Sequence, residues 1–292
     1  MIPNPSIRMN NRINQKFKTL HRRGKKAFIA FLTAGDPSFN VTEELVLAFE
    51  QAGVDMVELG VPFSDPLADG ATIQASYQRA LKNHTTLTKI LKIVQNIRRH
   101  SQIPIALMTS YNPVFHFKEE KFVSQAVAAG VDGVIIPDLP PEEAKNLIRA
   151  ARKKGLATVF FISPTTTVSR MKKIVQSSTG FIYYISLTGV TGSRKDLPLD
   201  LVKNIHAAKE MTDKPVCVGF GISTAAQVKE ISKIADGVIV GSAIVKEIEK
   251  NAGQKDLVKN VVRLVRGLMT RDQSLVARGA SRSHKTLIVK IR

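Results

Sequence analysis

The chain has 292 residues, of which 43% are hydrophobic and 23% charged, with a formal net charge of +19 and a single cysteine, Cys217. That length admits two ordinary domains or one large α/β barrel, and the composition is that of a globular chain able to bury a sizeable core. One cysteine excludes an intramolecular disulfide and a cysteine-based zinc site, and no apolar run is long enough to span a membrane as a helix.

Residues 1–26 carry eight Lys and Arg and no acid, without the apolar core of a signal peptide. Residues 1–25 are read as a basic, solvent-facing helical extension, and the chain as cytoplasmic. The first strand expected is "AFIAFLT" (27–33), followed by "TAGDP" with Asp36 as a turn residue and a helix over 41–52, capped by Thr42 and stopped at Gly53. "VDMVEL" (54–59) is the second strand; the loop "GVPFSDPLADG" and a helical run from 71 come after it. "IPIALMT" (103–109), a helix at 119–129 stopped by Gly130, "VDGVIIP" (131–137), a helix at 141–154 stopped by Gly155, and "ATVFFI" (157–162) continue the alternation. A helix at 167–177, "GFIYYIS" (180–186), a helix at 198–211, "PVCVGF" (215–220), a helix at 223–233 capped by Ser223, and "ADGVIVG" (235–241) complete it. The last 23 residues, 270–292, carry six Lys and Arg against Asp272, a basic tail whose composition allows disorder, so the 243 residues between the two ends hold only +6. Neither end shows a recognition motif or interleaved aromatics, which makes nucleic acid an unlikely partner.

Eight near-continuous apolar strands separated by amphipathic helices predict a parallel sheet covered by helices. No Gly-x-Gly-x-x-Gly turn follows the first strand, so a closed (β/α)8 barrel over 26–269, a TIM barrel forming a single domain, fits better than a doubly wound sheet. "AGVDMV" (52–57), "AGVDGV" (129–134) and "ADGV" (235–238) form a weak internal repeat in which a helix stop feeds a strand. In such a barrel, chemistry belongs at the C-terminal strand ends and the loops after them.

Three carboxylates fall there. Glu58 near the end of the second strand has no basic neighbour in sequence, and an apolar setting would raise its pKa and let it serve as a general acid; pairing with a basic residue elsewhere in the barrel is the alternative. Asp65, ahead of Pro66, suits a turn in which its side chain accepts backbone N–H groups. Asp69 is either functional or the N-cap of the helix beginning at 71. Glycine-rich turns follow the last three strands, "LTGVTGS", "GFGIS" and "VGSAIV", where backbone N–H groups and a helix start could hold a phosphate. Phe31, Met108, Tyr183 and Phe220 near strand ends are either core or the walls of a flat apolar pocket. The six histidines form no ligand-spaced pair, so no metal is expected.

"TAGDP", "ELGVPFSDPLADG", "SLTGVTG", "GFGIS" and "GSAIV", in this order from about Lys26 to about Met269, resemble the tryptophan synthase α-subunit family. The resemblance implies retro-aldol cleavage of indole-3-glycerol phosphate to indole and D-glyceraldehyde 3-phosphate, with no cofactor in this chain. Glu58 matches the family's acid/base and Asp69 the carboxylate on the ring N–H. Phe31, Met108, Ile162, Tyr183 and Phe220 fall on indole-pocket positions, and Gly192, Gly221, Gly241 and Ser242 on phosphate positions. Asp138 matches a loop position near the site. Thr191 matches a loop residue that closes over the site, and Asp65 and Pro66 a loop that communicates with the partner. That partner is a pyridoxal-phosphate β subunit in an αββα complex, which takes the indole for L-tryptophan synthesis. "TSYNPVF" departs from the pattern by placing Ser110 where an aromatic is expected, with Tyr111 one position later.

Overall fold

The computed structural model describes residues 11–67, 69–185, 199–219 and 221–269, with the backbone alone at 199 and 200. Eight parallel strands close a barrel in sequence order: β1 (Ala27–Thr33), β2 (Met56–Gly60), β3 (Ile105–Met108), β4 (Gly133–Ile135), β5 (Ala157–Ile162), β6 (Ile182–Ile185), β7 (Val216–Gly219) and β8 (Gly237–Val240), with β8 pairing back onto β1. The expected (β/α)8 barrel is therefore the observed fold. β1 and β5 have the predicted limits; the other six are shorter.

Both faces of the strands are buried, except at Phe161 and Ile185, which is why the sequence reads as continuous apolar runs. On β1, Ala27, Ile29 and Phe31 face the barrel interior, while Phe28, Ala30 and Leu32 pack under the helices. The helices between the strands include α2 (Phe39–Ala52), α3 (Ala71–Lys82) and α5 (Tyr111–Phe117) in the first half of the chain, and α8 (Val168–Ser177), α10 (Ala225–Ile234) and α11 (Ser242–Lys250) in the second. Gly53, Gly130 and Gly155 end their helices in the left-handed conformation, as predicted. Two caps differ. Ser38 rather than Thr42 caps α2, because the helix begins a turn early and Thr42 is buried within it, accepting from Gly35 N–H and donating to the Ser38 carbonyl. Thr224 rather than Ser223 caps α10, closing a reciprocal capping box with Gln227.

The basic N-terminal segment is no solvated appendage over residues 12–22. It forms helix α1 (Arg12–Arg22), whose Ile13, Phe17 and Leu20 are buried in the interior cluster at the N-terminal end of the barrel, Phe17 lying 5.9 Å from the Phe181 ring. Two of its cations find partners on other elements. Arg12 pairs with Asp132 at 3.0 Å and Lys16 with Asp55 at 3.7 Å, and Lys26 just beyond pairs with Asp236 at 3.2 Å.

Those three aspartates account for the repeat seen in the sequence. Each stands just ahead of an even-numbered strand and clasps the odd-numbered strand before it, its own N–H donating to a carbonyl and its carboxylate accepting the N–H of the same residue. Asp55 clasps Phe28, Asp132 clasps Ile105 and Asp236 clasps Val216, with bonds of 2.8–3.0 Å. Thr179 makes the same clasp on Thr158 through its hydroxyl at 2.9 Å, completing a fourfold pattern around the barrel. Arg98 and Lys209 add a second cation to Asp132 and Asp236.

Candidate active site

Glu58 is the third residue of β2, paired with Phe31 on β1 and Ala106 on β3. Its side chain is completely buried, and neither carboxylate oxygen has a hydrogen-bond partner among the described residues. No described basic residue pairs with it. An isolated carboxylate cannot be solvated in such a place, so burial first, and the nearby Asp69 second, push its pKa up to about 8. Glu58 is thus a carboxylic acid at neutral pH.

Asp69 belongs to the β2–α3 loop. Gly70, not Asp69, occupies the N-cap of α3, and no side chain caps that helix. The capping role is excluded, and the Asp69 side chain turns into a pocket lined also by Leu67, Tyr77, Met108, Ser110 and Asp138. Its pKa is raised to about 6, by burial and then by Asp138, while a hydrogen bond from Tyr77 pulls it down. At pH 7 the pair is therefore split, Glu58 protonated and Asp69 ionised, the arrangement in which two carboxyls take different roles. Asp138 is fixed in turn by accepting the Tyr111 N–H at 2.9 and 3.1 Å, which caps α5 from the loop after β4.

Phe31, Met108 and Tyr183 all face the interior and are brought together with Glu58's strand. Close approach of the backbone makes room for two of them. A Cβ on Gly60 would sit 2.7 Å from the Phe31 ring and 3.4 Å from Tyr77, and one on Gly219 would overlap the ring of Tyr183. Ile162 is not brought into this group. It lies on the helix-facing side of β5, while Phe161, one residue earlier, faces inward and packs 4.8 Å from Tyr183. Alternation along the strand puts the two adjacent side chains on opposite faces.

Gly221 and Gly241 each lie three residues beyond the paired Val218 and Val238, so the turns after β7 and β8 emerge at one level of the barrel. Gly221 adopts φ +70°. Gly241 is the N-cap of α11 and Ser242 its first residue, with no side-chain cap and no acid in the first turn, which leaves the positive end of the helix dipole open to an anion. Gly192, Thr191 and Phe220 lie outside the described residues, as does the tail 270–292. Asp65 is exposed and accepts the Ser64 hydroxyl; Pro66 adjoins it, half-buried. Asp36 is more than a turn residue: it is buried and held by both arms of the Arg79 guanidinium at 2.8 Å, Arg79 also reaching Glu249 of α11 at 2.7 Å.

Sequence reasoning did not find Tyr77 or Phe161. Both were hidden in amphipathic or apolar runs, and only the closed fold turns them into the mouth. Ser110 lines the pocket, while Tyr111 faces away, bonding Glu119 at 3.2 Å and packing 5.8 Å from Phe115. No group of three or more His, Cys, Asp or Glu among the described residues is arranged to hold a metal ion.

Fold and site define a (β/α)8-barrel enzyme with, among the described residues, an unpaired acid and an ionised carboxylate at the mouth. Residues 17–272 match the family described as tryptophan synthase alpha chain. The tryptophan synthase alpha chain of Geotalea daltonii is 50% identical over 244 residues, covering 84% of this chain and 92% of that protein, and that of a Thermoanaerobacter species is 43% identical over 258 residues, covering 88% and 98%. Among solved structures, tryptophan synthase subunit alpha from Legionella pneumophila superposes with a TM-score of 0.82 at 37% identity, covering 88% of this chain and 97% of that one. A chain from the tryptophan synthase α2β2 complex of Pyrococcus furiosus gives a TM-score of 0.78 at 41% identity, covering 83% and 97%. The chain belongs to the tryptophan synthase alpha chain family.

Proposed function

We propose that this lyase cleaves indole-3-glycerol phosphate to indole and D-glyceraldehyde 3-phosphate with Glu58 as proton donor and Asp69 as the acceptor of the ring N–H. The observation that carries this reading is Glu58, wholly buried, with both oxygens unbonded among the described residues and its proton retained to about pH 8. Glu58 delivers that proton to C3 of the indole. The ring becomes an indoleninium cation, whose charge at N1 is stabilised by the Asp69 carboxylate. The electron pair of the bond from C3 to the glyceryl chain then returns to the ring. The hydroxyl on the departing carbon loses its proton to the Glu58 carboxylate and becomes the aldehyde, so the acid is regenerated and no net proton is consumed.

Phe31, Met108 and Tyr183, with Phe161 in place of Ile162, suit the walls of a flat aromatic pocket. Gly221, Gly241 and Ser242 suit the phosphate, with Gly192 assigned there by resemblance alone. Phe220 and Thr191 keep their assigned roles, indole wall and closing loop, on the same ground. This chemistry needs no metal or organic cofactor in this chain; pyridoxal phosphate belongs to the β partner. The Pyrococcus furiosus relative comes from a tryptophan synthase α2β2 complex. Leu67, Phe115 and Val168, the exposed large apolar residues among those described, all follow strand ends on the C-terminal side of the barrel and suit a β-subunit contact there, next to Asp65 and Pro66. No described helix is long and apolar enough to cross a membrane, and we place the enzyme in the cytoplasm. We take 26–269 as the catalytic barrel, with 1–25 and 270–292 as its extensions.

The test is indole release from indole-3-glycerol phosphate in the presence of a β subunit. Glu58→Gln should lose at least about a thousandfold in kcat, the upper range for a general acid, and Asp69→Asn should lose strongly. Wild-type silence beside a functional β subunit would sink the reading.

A further inference from the structure

Tyr77 stands on α3, one and a half turns into the helix that follows the catalytic loop, and is 2% exposed. A phenol is rarely buried so completely without a task for its hydroxyl. Its hydroxyl faces the Asp69 carboxylate closely enough to lower that group's pKa, and the two side chains share one pocket. The ring is held firmly. It packs in the interior cluster with Phe31 and Met108, against the space left by Gly60. The helix beneath it is anchored twice to the end of β1 and the turn beyond: Ser76 bonds Thr33 at 2.6 Å, and Arg79 grips Asp36. Asp69, by contrast, sits on a loop, and its own backbone carbonyl is tied only to the Gln74 amide among the described bonds.

We propose that Tyr77 is a positioning residue for Asp69: its hydroxyl, presented from a rigid helix, occupies one side of the carboxylate and aims the free oxygen at the ring N–H of the substrate. This rests on the reading of Asp69 as the ring N–H acceptor. The bond also does electrostatic work. The groups facing Asp69 are Glu58 from β2, Asp138 from the loop after β4, Tyr183 from β6 and Tyr77 from α3, and no Lys, Arg or His lines its pocket among the described residues. Burial and Asp138 both favour the protonated form, which cannot accept the ring N–H as well. The Tyr77 hydroxyl donates to the charged form and opposes them.

Tyr77→Phe keeps the ring and its packing and removes only the donor. The carboxyl carbon of Asp69, labelled with 13C in the full-length chain and assigned by its absence in Asp69→Asn, should titrate near pH 6 in wild type and roughly one unit higher in Tyr77→Phe, the size expected for one hydrogen bond to a charged group. This readout needs no catalytic activity, so it stands apart from the fate of the lyase assignment. Turnover supplies the second arm. Near pH 6.5, Tyr77→Phe should lower kcat/KM about tenfold, while adding it to Asp69→Asn should cost nothing further. An unmoved Asp69 titration, or an equal loss in the Asp69→Asn background, would overturn the proposal.

Discussion

Replacing Glu58 by Gln removes a pH-dependent burden on the fold whose size follows from the site. The native carboxyl keeps its proton to about pH 8, against an ordinary value of 4.5. Because the folded pKa is the higher one, the stability this group contributes is complete below pH 4.5 and is lost as pH rises toward 8, the unfolded chain ionising freely while the native one cannot. At pH 7 the unfolded carboxyl lies two and a half units above its own pKa, a loss of about 3 kcal/mol at roughly 1.4 kcal/mol per unit. Glutamine has the same shape and does not ionise. Its amide brings its own unbonded polar atoms into the dry interior, a constant offset that does not depend on pH. Asp69, raised to about 6, adds a slope of the same sign, but it is present in both proteins and cancels to first order. Urea unfolding at pH 5, 6 and 7 should therefore show the stability of Glu58→Gln rising relative to wild type by about 2.5 kcal/mol across that range. Parallel curves, with a gap constant to about 0.5 kcal/mol, would show that Glu58 is not held neutral.

Three further expectations concern other parts of the molecule. Asp132→Ala leaves Arg98, whose side chain is only 9% exposed, without its carboxylate and the Ile105 N–H without its acceptor, and thermal unfolding should register a loss of about 3–5 kcal/mol. Ile13→Ala opens a hole where α1 closes the barrel and should cost about 2–5 kcal/mol in denaturant, while leaving kcat near wild type because the site is at the opposite end. Ser242→Asp puts a negative charge at the open start of α11, where the helix itself tolerates it; KM for indole-3-glycerol phosphate should rise roughly tenfold or more, with the melting temperature little changed.

How much of this was legible beforehand depended on whether the signal was local. Strand β5 and the three glycine stops could be read because a continuous apolar run or a left-handed residue leaves a mark in adjacent sequence. Glu58 could be singled out for the same reason, an acid embedded among apolar residues without a neighbour to neutralise it. What could not be read was anything set by closure of the barrel. Asp55, Asp132 and Asp236 announced themselves as a repeat, yet their clasp on the preceding strand, and Thr179 as its fourth member, require residues 20–27 positions apart to meet. Arg12 and Lys16 looked like solvent-facing charge because their partners lie 120 and 39 positions away. Ile162 and Phe161 are adjacent in sequence and opposite in space, so which of them faces the barrel interior could be read only once the strand's register was fixed.

A protonated Glu58 and an ionised Asp69 are set to coexist at the barrel mouth, the two titrating as a coupled pair with apparent values near 8 and 6. The pH dependence of kcat/KM for indole release, measured on the wild-type chain with a β subunit between pH 5 and 9.5, reads the free enzyme's acid directly. Activity should hold from about pH 6.5 to 7.5 and fall tenfold per unit above about pH 8, as the Glu58 proton is lost. A rate that stays level or climbs through pH 9 would contradict the account, because no acid of that strength would then be needed at C3.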